Sequence, residues 1–167
     1  MREAMDILSR PFDDLAPGLR FATRGRTVTE AHVVAFAGLT GDQHPQHTDA
    51  RWAEASPFGE RIAHGLLVLS LAAGLVPLDP ERVVALRRVR DAVFKRPVRL
   101  GETIDVAGRL AALAPVDDRT GLVSVVLDVR GGDERLVARA TLELLWARDA
   151  VPAPEPVLAD PMTCVPL

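Results

Sequence analysis

A chain of 167 residues with 48% hydrophobic content suits one domain with a sizeable core. Its charge is mixed, 20 basic against 23 acidic residues for a formal net of -3, so it carries no basic footprint for nucleic acid. The single cysteine, Cys164, cannot close an intramolecular disulfide, and the N-terminus lacks a basic-then-apolar leader; a reducing, cytoplasmic setting is expected.

Residues 11–21 mix proline, glycine and acidic side chains and read as irregular. Thr27-Val28-Thr29-Glu30 then offers a capping signature, which predicts a short helix from near Thr29 to Gly38 or Gly41, with His32 facing solvent. Pro45 opposes helical continuation through the loop that follows. Asp49 is placed to cap a brief helix through Ala55, closed by Pro57 and Gly59. Residues 65–76 are apolar nearly all round, as in a buried helix. The apolar run Leu66 to Leu78 falls short of the roughly 20 residues a bilayer requires.

After Pro77 the pattern changes to period two and β-branched residues, predicting strands over 83–95, 102–113, 122–130 and 136–146. Short turns between the later strands predict antiparallel hairpins. The order is α+β, with a curled antiparallel sheet wrapped around the one all-apolar helix. Residues 1–149 form a single domain, and the proline-rich residues 150–167 form an extended or disordered tail.

The chemistry concentrates in Thr40-Gly41-Asp42-Gln43-His44-Pro45-Gln46-His47 and Phe58-Gly59-Glu60-Arg61-Ile62-Ala63-His64-Gly65, which hold three of the four histidines. Asp42 and His47, five positions apart on a loop tightened by glycine and proline, can converge on one small polar molecule such as water. Read alone, Asp42 is more often a turn residue bonding its own backbone and His47 more often a structural histidine; the shared loop and spacing favour the catalytic reading. His44 reads as a loop residue, and His64 as the residue that caps or orients the helix it precedes. A metal site from Asp42, His44, His47 and His64 is disfavoured, because the spacing is that of a loop and no cysteine joins it.

The two-part motif resembles the MaoC-like family of hot-dog-fold (R)-specific enoyl-CoA hydratases and acyl dehydratases over residues 12–146. The family pattern is Gly-Asp-any-Asn-Pro-any-His, and His44 stands here in place of the asparagine. The resemblance implies a single hot-dog domain, catalytic Asp42 and His47 holding a water, and the Gly65 amide as oxyanion donor. His44, His64 and Ser70 are the candidate substrate-binding residues; Ser70 lies almost one turn before Ala73, where some members carry a serine. The resemblance further implies an acyl-CoA or acyl-carrier-protein thioester substrate, a homodimer and no dissociable cofactor, metal, membrane or nucleic-acid partner.

Adding water to an unsaturated thioester requires an activated water, a proton for the α-carbon and donors for the enolate oxygen. The start of a buried helix supplies such donors, and glycine lets a carbonyl approach them. Two alternatives remain. The wording Gly59 to Gly65 also resembles a hydratase-like domain that opens an oxepin ring, and small Ala72, Ala73 and Gly74, with Trp52 and Phe58 as walls, would admit a cyclic acyl group. A non-catalytic thioester-binding subunit has only the His44 departure in its favour. Arg87, Arg88, Arg90, Lys95, Arg96 and Arg99 read as a solvated strand face, with Arg88 and Arg90 on the side opposite Arg87.

Overall fold

Alternating apolar residues build the sheet, and one face of that sheet builds the core. In the computed structural model, which describes residues 6–149, the long strands are β3 (Val83–Phe94), β4 (Thr103–Pro115), β5 (Thr120–Arg130) and β6 (Leu136–Ala147). The short β1 (Arg20–Ala22) and β2 (Arg26–Thr27) pair with β4. All pairings are antiparallel, in the order β1-β4-β5-β6-β3. Ile104, Val106 and Leu110 of β4, Val123, Val125, Leu127 and Val129 of β5, and Leu142, Leu144 and Trp146 of β6 are buried. Each such side chain contributes about 1.5–3 kcal/mol on leaving water.

The four strands predicted over 83–146 are present, and the hairpins β4–β5 and β5–β6 are as read from their turns. Strand β3 does not join this meander beside β4; it returns to the far side of β6 and forms a sheet edge. The proline-rich residues 150–167 and Cys164 lie outside the described residues.

Helix α1 (Glu30–Thr40) begins at Thr29 and ends at Gly41, whose φ of 76° is the left-handed conformation that suits glycine. Its cap differs in detail from the Thr27–Glu30 signature. The Thr29 amide donates to His32 Nδ1 at 3.0 Å, so His32 closes the helix end rather than standing free in solvent, and Glu30 pairs with Arg61 at 2.8 Å. Pro45 does not merely interrupt: it opens the short helix α2 (Pro45–Thr48), followed by α3 (Ala50–Glu54), where Asp49 accepts from the Trp52 amide at 3.0 Å.

The sheet wraps α4 (Gly65–Leu75), which buries Leu67, Val68, Leu69, Leu71 and Ala72. The helix is not buried all round, because the sheet covers only part of its circumference. Leu66, Ser70 and Gly74, at fourfold spacing, form an exposed stripe. Among the described residues no helix is long and apolar enough to cross a membrane.

Glycine marks the closest packing on β4. A Cβ at Gly108 would lie 2.0 Å from Cζ of the buried Phe21 ring. Gly108→Ala should therefore overpack the β1–β4 contact and destabilise the fold by about 1–3 kcal/mol, seen as a lower urea midpoint with an unchanged slope. An unchanged midpoint would contradict this packing.

Candidate active site

The left-handed Gly41 turns the chain out of α1 and presents Asp42. Thr40 Oγ donates to the Phe36 carbonyl at 2.7 Å and accepts from the Asp42 amide at 3.3 Å, while Asp42 Oδ1 accepts from the His44 amide at 3.3 Å. His44 Nδ1 then accepts from the Gln46 amide at 3.2 Å and caps α2. The residue that departs from the family pattern thus builds the loop; its ring is exposed and meets Trp52 edge-on at 5.3 Å.

One turn later His47 points inward and is only 4% exposed. Its Nδ1 lies 2.7 Å from the Ile62 carbonyl oxygen, and the Ile62 amide donates back to the Gln46 carbonyl at 3.2 Å. A carbonyl only accepts, so Nδ1 carries the proton and the neutral ring keeps its lone pair on Nε2. The next residue, Ala63, donates to the Val98 carbonyl at 2.8 Å, which ties this clasp to the segment after β3.

His64 is also buried, between the Phe36 ring at 5.0 Å and the His47 ring, which stacks on it at 3.8 Å with 28° between planes. Its Nε2–H donates to the Asp42 carbonyl at 3.1 Å, and its buried Nδ1 has no hydrogen-bond partner among the described residues. One side chain therefore touches both members of the expected pair. A carboxylate oxygen of Asp42 and ring nitrogens of His47 and His64 all lie within 4.8 Å of one another.

These are metal-ligand types, but the two rings stack face to face, so their in-plane lone pairs do not converge on one ion at the roughly 2.0–2.1 Å that a histidine–zinc bond demands. The arrangement suits proton transfer better. Burial holds the His47 imidazole below its ordinary value of 6.5, against the Ile62 hydrogen bond, which favours the cation; His64 and His44 add to the lowering and Asp42 opposes it.

Gly65 is the first residue of α4, whose first-turn amides have no intrahelical acceptor. The first closing bond is Val68 N–H to the His64 carbonyl, at 3.1 Å. A Cβ on Gly65 would meet the Phe94 ring at 3.1 Å. Together Asp42, His47, His64 and Gly65 line a cavity of about 470 Å³, with Phe58 and Phe94 among its apolar walls. That volume suits a small-molecule acyl group.

Ser70 lies outside this lining, on the exposed side of α4, where its hydroxyl donates to the Leu66 carbonyl at 2.8 Å. Trp52 is not part of the wall, Ala72 is packed in the core, and Gly74 is exposed, so the room expected for a cyclic acyl group is not built from them. Arg88 and Arg90 share a face as alternation requires, and both reach Glu143, at 3.6 and 2.8 Å. Arg99 pairs with Glu60 at 2.6 Å, while Lys95 and Arg96 border the cavity.

Sequence reasoning missed Gln46, Ile62 and Phe94. Gln46 occupies an unspecified motif position, and Ile62 acts through its backbone. Phe94 reaches the cavity after a register shift in β3 between Arg90 and Val93, which simple alternation does not anticipate.

An antiparallel sheet wrapped on one helix, with an acid/base loop at the helix N-terminus, is the architecture of a hot-dog-fold protein. Residues 15–130 match the model of the MaoC like domain, and the chain belongs to that family. It is 42% identical over 96 residues to Protein MaoC of Klebsiella aerogenes, a match spanning 57% of this chain but 29% of that protein. It is 33% identical over 111 residues to a 3-hydroxybutyryl-CoA dehydratase of Methylorubrum extorquens, spanning 66% and 70% of the two chains. Among solved structures, a monoamine oxidase regulatory protein from Archaeoglobus fulgius superimposes with a TM-score of 0.78 at 33% identity, covering 87% of this chain and 99% of that one.

The lowered His47 pKa has a definite sign. Above 6.5 both folded and unfolded His47 are neutral and pH has no effect through this group; below 6.5 the unfolded chain takes up the proton first, so stability falls towards the folded pKa. An NMR titration of the His47 ring should give a midpoint below 6.5, and the loss of stability on acidification through that window should be smaller in His47→Gln. A midpoint at or above 6.5 would contradict the burial argument.

Proposed function

We propose that this protein is a hydro-lyase that adds water to trans-2-enoyl thioesters and, in reverse, dehydrates (R)-3-hydroxyacyl thioesters. The observation that carries the reading is the grouping of Asp42, His47 and His64 within 4.8 Å, beside the N-terminus of α4 in an acyl-sized cavity. A family that includes a relative named as a 3-hydroxybutyryl-CoA dehydratase supports it.

A water between Asp42 and His47 offers one hydrogen to the carboxylate and the other to His47 Nε2, once the Gln46 side chain that lies 3.0 Å from that atom has turned aside. As the water oxygen bonds to the β-carbon, its proton passes to this pair and the C2–C3 π electrons move towards the thioester carbonyl. The enolate oxygen meets the free amides of the first turn of α4, with the Gly65 N–H as the nearest in sequence to the pair. Return of the proton to the α-carbon completes the addition. Asp42 and His47 stand on one side of the cavity, so both new bonds form on the same face.

The carrier is coenzyme A or an acyl carrier protein, and no separate cofactor enters the scheme. The working unit is a homodimer. β3 is a long sheet edge whose Leu86, Val89 and Phe94 are 53%, 44% and 46% exposed, close to half of each side chain left without cover. Phe94 also lines the cavity, so a second copy seated on this edge would complete the cavity wall.

The test is loss of the conjugated thioester absorbance of crotonyl-CoA and of a longer trans-2-enoyl-CoA. Wild-type protein, eluting at twice 18.0 kDa, should consume the substrate. Asp42→Asn and His47→Ala should each lose about 10²–10⁴-fold in kcat while remaining folded. A folded protein that binds acyl-CoA yet hydrates neither substrate would overturn the reading, and a fully active monomer would overturn the dimer.

A further inference from the structure

The proton-accepting atom of His47 is not open in the cavity. With Nδ1–H committed to Ile62, the lone pair on Nε2 meets the side-chain nitrogen of Gln46 at 3.0 Å, and that carboxamide donates to it. Gln46 lines the cavity and is half-buried. Its backbone is held on both sides, the amide donating to His44 Nδ1 at 3.2 Å and the carbonyl accepting from Ile62 at 3.2 Å. Only the side chain is left to move.

A carboxamide differs from other partners in carrying a donor at one end and an acceptor at the other. Rotation about its last bond, a broad and nearly two-fold torsion, exchanges them. When His47 takes a proton, Nε2 becomes a donor and would face a second N–H; a half-turn of Gln46 replaces that contact with an N–H···O hydrogen bond. The other groups around the ring each favour one state. Asp42 and the Ile62 carbonyl favour the imidazolium, while burial, the stacked His64 and His44 favour the neutral ring.

We propose that Gln46 is a positioning residue that follows the proton on His47, donating to Nε2 of the neutral ring and turning to accept from Nε2–H of the imidazolium. It anchors the ring at both nitrogens before the proton arrives and again once it is on the ring, and it leaves Nε2 only while the proton passes between the ring and the water. The consequence for turnover rests on the hydration reading; the contact itself does not.

The experiment is a pH titration of the substrate-free protein by ¹⁵N NMR, following the His47 ring nitrogens and the Gln46 side-chain amide, in the wild type, Gln46→Met and Gln46→Glu. In the wild type the Gln46 amide signals should change with the midpoint of His47. In Gln46→Met, which keeps the length but not the polar end, the Nε2 signal should move to that of a nitrogen without a donor, and kcat should fall about tenfold with KM within about twofold. Gln46→Glu, which can only accept, should raise the His47 midpoint by about one unit. Gln46 amide signals flat through the His47 transition would overturn the proposal, as would a Gln46→Met protein whose Nε2 signal and kcat match the wild type. Should the wild type be inactive on enoyl thioesters, the hydratase reading fails while the titration still decides the contact.

Discussion

The backbone of Ile62 holds the site together. Its carbonyl takes the Nδ1 proton of His47 and its amide donates to the Gln46 carbonyl, so one buried residue clasps two loops fifteen positions apart. Everything chemical follows from that clasp. It sets the tautomer of His47, leaves Nε2 as the ring's accepting atom against Gln46, and brings the Asp42 loop against His64 and the start of α4. Because the bond to Nδ1 forms in a buried setting, leaving either partner unmet would cost about 1–3 kcal/mol, which keeps the imidazole from turning over.

The fold supplies the clasp with a fixed frame. α4 is held by the concave face of the sheet, so its first-turn amides are fixed in place, and in the proposed hydration such donors would need no reorganisation as an enolate forms. Burial of His47 works in the same direction as its tautomer: it disfavours the imidazolium, leaving a neutral acceptor beside an exposed carboxylate. The edge strand β3 belongs to this arrangement, since its last residue, Phe94, packs against Gly65 and closes the cavity on the apolar side.

Local rules made much of this legible from residues alone. Thr29 and Gly41 bound α1 because capping and a left-handed glycine act within a few positions, and Asp49 caps α3 for the same reason. The four long strands announce themselves by alternation. β1 and β2, of three and two residues, are too short to carry a period. The placement of β3 beside β6 is a long-range pairing with no local signal. The exposed stripe of Leu66, Ser70 and Gly74 was hidden because composition cannot say how far around a helix the sheet will reach. Asp42 and His47 stood out by residue type, whereas His64 touching both of them, and Gln46 on Nε2, depend on how two loops meet in space.

In the proposed hydration both new bonds are made from one side, where Asp42 and His47 stand. The direct measurement is hydration of crotonyl-CoA in D₂O, with the relative configuration at C2 and C3 of the product read from the vicinal proton coupling. A single deuterium at C2, added to the same face as the oxygen at C3, is the predicted result. Addition to opposite faces, or a mixture of the two, would contradict a site in which one acid/base pair handles both the water and the returning proton.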